Sequence, residues 1–293
     1  NVSRSFLQSD ASVKKISAHI SKKVSDKLEE MFKNDREDFE KKWEDIKIFI
    51  QYGSITDEKF WDRAKSFFLL KNVEGKYFTL DEYKTYIETL QKDKNETLVY
   101  LYAADAEKQH IYIQSAQERG YDVLLMDSIL DAHFINMLEQ KLEKSKFARV
   151  DADVIDKLIE KEDSLISKLS EEERKNLSEI FENSVEKEKF TVVVESLNDT
   201  DLPVMIMQNE FMRRFQDMER LSGQNGMYGR FEHYNLVVND NNEVIVNLLK
   251  EEDAEKKSQM TQQLVDLALL SQNMLTGEKL SQFVRRSLDF IAK

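Results

Sequence analysis

Cysteine is absent from the 293 residues, which excludes disulfides, thiolate metal sites and cysteine nucleophiles. Proline occurs once, at Pro203, and glycine seven times, so helices run without their usual breakers and turns must be read from caps. No run of about 18 apolar residues occurs, which leaves no candidate transmembrane helix. The richest stretch, 264–270, is short and is broken by Asp266. The glycine-rich phosphate loop, the dinucleotide fingerprint and the nucleophile elbow are all missing. His19, His110, His133 and His233 lie far apart and show no metal-ligand spacing. With 56 acidic residues, close carboxylate pairs are expected by chance, and none marks a glycosidase-type acid and nucleophile. Taken alone, the chain shows no motif of a self-contained enzyme.

Charge is abundant. Lys plus Arg number 43 against 56 Asp plus Glu, a formal charge of -13 at pH 7. That surface repels phosphate backbones and anionic bilayers, so neither nucleic acid nor membrane is an expected partner. With 41% hydrophobic and 34% charged residues, the composition describes a helix-rich globular protein with solvated helix faces. The absence of cysteine fits a reducing cytoplasm. The first residue is Asn1, with neither an initiator Met nor a signal peptide, and the chain reads as a piece of something longer.

Apolar spacing predicts a helix over 10–32 (Val13, Ile16, Ile20, Val24, Leu28, Met31), a second over 38–52 ending at Gly53, and a third opening at Thr56. Thr79 and Glu82 form a capping box, as do Ser170 and Glu173. Strand-forming runs at 97–102, 122–126 and 147–150 alternate with helices, the pattern of a small three-layer α/β unit with right-handed crossovers and a parallel sheet. A charged segment from 151 reads as a link. Beyond it, strands are expected at 190–197 and 204–207, joined as a hairpin by the Asn198–Asp201 turn, and at 235–238. A Met-rich helix over 210–221 and a glycine loop (Gly223, Gly226, Gly229) lie between the last two strands, and two helices, 252–274 and 278–292, close the chain. The fold class is α/β. The divisions are 1–78 helical, 79–152 α/β/α, 153–169 charged linker and 170–293 C-terminal α/β ending in two helices.

The opening Asn1-Val2-Ser3-Arg4-Ser5-Phe6-Leu7-Gln8 resembles the catalytic-loop motif in the middle domain of the heat-shock protein 90 family, whose bacterial members are called HtpG. Tyr52-Gly53 after a Trp-bearing helix, Thr79 to Tyr83 followed by Val99 to Tyr102, and Gly120 to Met126 are similar to further middle-domain segments. Leu267 to Leu270 and Phe283 to Arg286 resemble that family's dimerisation helices. The resemblance implies a middle and C-terminal fragment of an ATP-dependent, homodimeric chaperone. Arg4 and Gln8 would reach ATP held by the parent's own N-terminal nucleotide-binding domain, where a guanidinium neutralises charge on the transferring phosphate. No cofactor is then expected in this stretch, and ATP with Mg only in the parent. Where the family has an Asn-Pro turn, Asn239-Asp240 stands here, and the acidic tail that docks co-chaperones in eukaryotic cytosolic members is missing.

Apolar residues on the last two helices, Leu264, Leu267, Ala268, Leu270, Leu280, Phe283, Val284, Leu288 and Ile291, spread over more than one face. A single packed face needs only one stripe, so either the helices pack on each other and on the α/β unit or a second copy covers them. The resemblance favours dimerisation. The Met-rich segment offers Phe211, Met212, Phe215 and Met218 for unfolded or partly folded client proteins, since thioethers adapt to many apolar shapes. The resemblance adds His133, Phe134, Asn136 and Met137 as a second client face. The alternative from another class is a non-catalytic acidic scaffold.

Overall fold

The computed structural model describes residues 10–161, 165–208, 214 and 233–291. They form an α/β fold of small sheets among helices, grouped into two compact units: 10–92, 97–105 and 120–147 in one, and 93–96, 106–119 and the described residues from 148 to 291 in the other. The units cut the chain differently from the composition. Residues 106–119, read from the sequence as part of the first α/β unit, belong to the second.

The first unit opens with α1 (Ala11–Asn34), capped by the Asp10 carboxylate, which accepts from the Ser12 and Val13 amides at 2.8 and 3.0 Å. Only its C-terminal half, through Leu28, Met31 and Phe32, packs on the core, while Val13, Ile16, Ile20 and Val24 stay exposed. Helix α2 (Arg36–Thr56) does not stop at Gly53 as the sequence predicts. The glycine sits inside the helix because the Phe60 ring lies where a side chain would be, with a Cβ there 2.9 Å from its nearest carbon. Asp57, not Thr56, then caps α3 (Glu58–Ala64), accepting from the Lys59 and Phe60 amides.

A hairpin of β1 (Leu69–Lys71) and β2 (Tyr77–Thr79) follows, which the periodicity missed because each strand is three residues long. The Thr79–Glu82 capping box opens α4 (Leu80–Ile87) as expected. The sheet proper has the order β4-β3-β5, with β3 (Leu98–Ala103) fully buried between β4 (Leu124–Leu125) and β5 (Ser145–Arg149), and β3 parallel to β4. Helix α6 (Asp131–Lys141) covers an aromatic core in which Trp43 meets Phe68 edge-on at 5.0 Å.

The second unit contains α5 (His110–Glu118) and α7 (Ile155–Leu158). The segment expected to be a charged linker therefore carries a helical turn, with Val154, Ile155, Leu158 and Ile159 buried. The Ser170–Glu173 box opens α8 (Glu171–Glu182). The expected hairpin of β6 (Phe190–Glu195) with β7 (Val204–Met207) does not form. Strand β8 (Tyr234–Asn239) lies between them, parallel to β6 and antiparallel to β7. As the central strand β8 pairs on both edges, and its last four residues, Leu236 to Asn239, are buried. Polar side chains then replace an Asn-Pro turn: the buried Asn239 amide donates to the Asn198 carbonyl at 2.8 Å, and Asn241 donates to the carbonyls of Ile166 and Leu197 at 3.1 Å each. Asn242 caps α9 (Glu243–Lys250), a helix absent from the sequence reading, and α10 (Ala254–Ser271) and α11 (Gly277–Ile291) end the fold.

Candidate functional site

The Asp253 carboxylate starts α10 by accepting from the Glu255 and Lys256 amides at 2.9 and 3.1 Å. One face of this helix, Thr261, Leu264, Val265 and Ala268, is buried, and its three apolar members join a core with Phe181, Ile206, Leu236, Val238 and Leu248. Asp266 breaks that apolar run for a reason. Its carboxylate, with the side chain 5% exposed, is bound by the Arg286 guanidinium of α11 and accepts from Gln262 Nε2 at 2.9 Å. Arg286 Nε also donates to Gln263 Oε1 at 2.8 Å, and Gln263 Nε2 donates to Ser287 Oγ at 2.8 Å. Pairing 263 with 287 and 266 with 286 makes the two helices antiparallel. Asp266 and Arg286 are each also hydrogen-bonded to a glutamine of α10, which ties α11 to one position along α10.

This clasp decides which side of α11 faces outward. Phe283, Arg286 and Ser287 turn toward α10, so Val284, Leu288 and Ile291, at spacings of four and three, turn away. Leu288 is 60% and Ile291 82% exposed, and on α10 Leu267 and Leu270 are exposed as well. Of the nine residues expected at a dimer interface, Leu264, Ala268 and Phe283 are instead buried within the protomer, and Leu280 is half-buried. Leu267, Leu270, Val284, Leu288 and Ile291 remain as exposed aliphatic side chains of the two helices, and exposed apolar patches mark association surfaces.

The second expected client face is corrected at one position. Phe134 is fully buried, its ring 4.5 Å from Phe68 and 6.1 Å from Trp61 between centroids, so it is a core residue. Met137 packs partly on the same core, Asn136 is half-buried and His133 is exposed. At the start of this helix lies a polar cluster that the sequence did not disclose. Asp131, 4% exposed, accepts from Gln51 Nε2 and from the Ser128 amide, each at 2.6 Å, and Ser128 Oγ donates to Gln51 Oε1 at 2.8 Å. Burial pushes the Asp131 carboxyl up to about 6, against the pull of nearby Lys47 and the two donors. Lys47 itself pairs with Asp127 at 2.8 Å.

Arg4, Gln8, Phe211, Met212, Phe215 and Met218 lie outside the described residues. Among the described residues no group of His, Asp and Glu could hold a metal ion, and no helix is long and apolar enough to cross a membrane.

The family model described as Hsp90 protein matches residues 1–288. The chain belongs to the Hsp90 family. Its relatives include the chaperone protein HtpG of Bacteroides fragilis, 40% identical over 99% of this chain and 53% of the relative. That of Porphyromonas gingivalis is 41% identical over 98% and 52%. HtpG of Clostridium perfringens is 30% identical over 94% of this chain and 43% of its own length. The chain thus spans about half the length of the HtpG proteins it matches. Within this Hsp90-family chain, the only signal in the sequence for the clasp between α10 and α11 is Asp266 inside an apolar run: a charge there needs a buried partner.

Proposed function

We propose that this chain is the middle and C-terminal part of a homodimeric, ATP-dependent chaperone that binds and remodels unfolded or partly folded proteins in the cytoplasm. The observation that carries the reading is the aliphatic surface of α10 and α11, left uncovered on a chain of the Hsp90 family. A second copy would bury Leu267, Leu270, Val284, Leu288 and Ile291 against the same residues, giving a two-fold bundle of four helices. Arg4 and Gln8 would complete an ATP site whose remaining groups, and Mg, belong to the rest of the parent. Nucleotide state would then shift the dimer between open and closed forms around a client.

Light scattering tests the dimer. A mass near twice 34.5 kDa is expected, falling to one protomer in the Val284→Glu/Leu288→Glu variant. Both side chains are exposed, so their replacement leaves the protomer folded, unlike removal of α10, which would open the core. A monomer at all concentrations would overturn the clamp. Arg4→Ala tests the second element: it should abolish any rise in ATP turnover when the chain is mixed with a separately made nucleotide-binding domain. No rise with the unaltered chain would leave an acidic scaffold as the better description.

A further inference from the structure

Within the second unit, α5 presents Ile111, Tyr112, Ser115 and Glu118 on one face, at spacings of three and four. Opposite them, Met205 and Met207 occupy alternate positions of β7 and so share a side of the strand. Between these walls lies a cavity of about 210 Å3, floored by Val150, Val154, Ile155 and Leu197. Its deep residues are buried, whereas Gln114, Glu118, Thr200 and Leu202 at the mouth are exposed. An apolar cavity of about 150 Å3 is already enough to take up benzene.

The mouth is built rather than loose. The Asn198 carboxamide oxygen accepts from the Thr200 amide at 3.1 Å, and the Asp201 carbonyl accepts from Asn242 Nδ2 at 2.8 Å. Arg119 binds two carboxylates at once: Asp156 at 2.7 and 2.9 Å, and Asp201 at 3.2 and 2.7 Å. Glu118 accepts from Gln114 at 3.1 Å and adds a third carboxylate to the single guanidinium. The neighbouring cations are already matched, Lys157 by Glu195 and Lys168 by Asp199. The rim is therefore net negative by two charges over an apolar interior.

We infer that this cavity is a binding site for a small organic cation with an apolar ring, of the arylalkylamine class. The ring enters between Tyr112, Met205 and Met207, whose flexible thioethers adapt to its shape. The ammonium stays at the mouth beside Glu118 and Asp201, half hydrated, where carboxylates favour it and repel anions. Because the lining comes from α5, α7, β7 and the 197–202 loop, an occupant ties these segments together and stabilises the second unit by mass action.

The test is a titration of the whole chain, carrying 13C-methyl methionine, with 2-phenylethylamine and with its neutral counterpart 2-phenylethanol. The methyl signals of Met205 and Met207, assigned by Met→Leu replacement, are expected to shift saturably with the amine at a Kd of about 1–10 mM. The alcohol should bind more weakly. Glu118→Gln, at an exposed position, should weaken the amine by about 2–5-fold and leave the alcohol unchanged. Ile111→Trp should block both ligands by filling the cavity. Methyl signals that do not move, or that move equally in the Ile111→Trp chain, overturn the site. Equal binding of amine and alcohol, unaffected by Glu118→Gln, overturns the assignment of the ligand as a cation. Neither result bears on the dimer, which is read out by mass.

Discussion

Asp131 shows how far one side chain can depart from what its neighbours in sequence announce. Its carboxyl is pushed up to about 6 by burial, so the folded chain holds that proton more tightly than the unfolded chain, where the value is near 4. The stabilising contribution is complete below about pH 4, is lost as pH rises through about 6, and is gone above that, a total of roughly 3 kcal/mol. Glu82 has the opposite sign: its hydrogen bond to Arg36 lowers it to about 2, so its contribution fades only on acidification. Denaturant unfolding of the wild type and of Asp131→Asn should therefore diverge between pH 4 and 7, the wild type losing ground as pH rises. A constant difference across that range would mean that Asp131 is not a buried acid. Phe134 makes a second residue-scale case. Phe134→Ala should cost about 3–5 kcal/mol of unfolding free energy, whereas His133→Ala on the exposed side should cost less than about 0.5. Local devices such as the Thr79–Glu82 and Ser170–Glu173 boxes were legible because both partners lie within one turn. Apart from the Ser128 amide, the partners of Asp131 and Phe134 named above, Gln51, Phe68 and Trp61, are distant in sequence, and no local pattern points to them.

For whole elements, legibility followed length and periodicity. The helices α1, α10 and α11 fall within a few residues of their expected spans because apolar residues recur at helical spacing along each. The three-residue strands β1 and β2 are too short for any period to show. Helix α9 gives no separate signal because it follows directly on the polar Asn239–Asn242 run, whose last member is its cap. The strand order β6-β8-β7 could not be read from adjacency, since the Asn198–Asp201 turn is a good hairpin signal and the competing partner arrives later in the chain. Gly53 is the reverse case, a helix stop by local rule that tertiary packing overrides. Replacing a mid-helix glycine by alanine ordinarily stabilises by about 1 kcal/mol. Here the new methyl would meet the buried Phe60 ring, so Gly53→Ala should lower the thermal midpoint instead of raising it. A rise would show that Phe60 has room to withdraw.

At the scale of the whole molecule, two terms oppose each other in the proposed dimer. Each copy carries a formal charge of -13, so bringing two together is resisted by like-charge repulsion over a screening length of about 10 Å at 0.1 M salt. The surface that would join them is aliphatic, and its contribution is not weakened by salt. The clasp of α11 to α10 reinforces this separation, because Arg286 is consumed by Asp266 within the protomer and is not offered across the interface. Raising sodium chloride from about 50 to about 500 mM should therefore tighten self-association, with the dimer dissociation constant by sedimentation falling several-fold. The Val284→Glu/Leu288→Glu chain should stay monomeric throughout the series. Loosening with salt would mean that ion pairs between protomers, not Leu267, Leu270, Val284, Leu288 and Ile291, hold the two copies together, and the outward face of α11 would lose its assigned role.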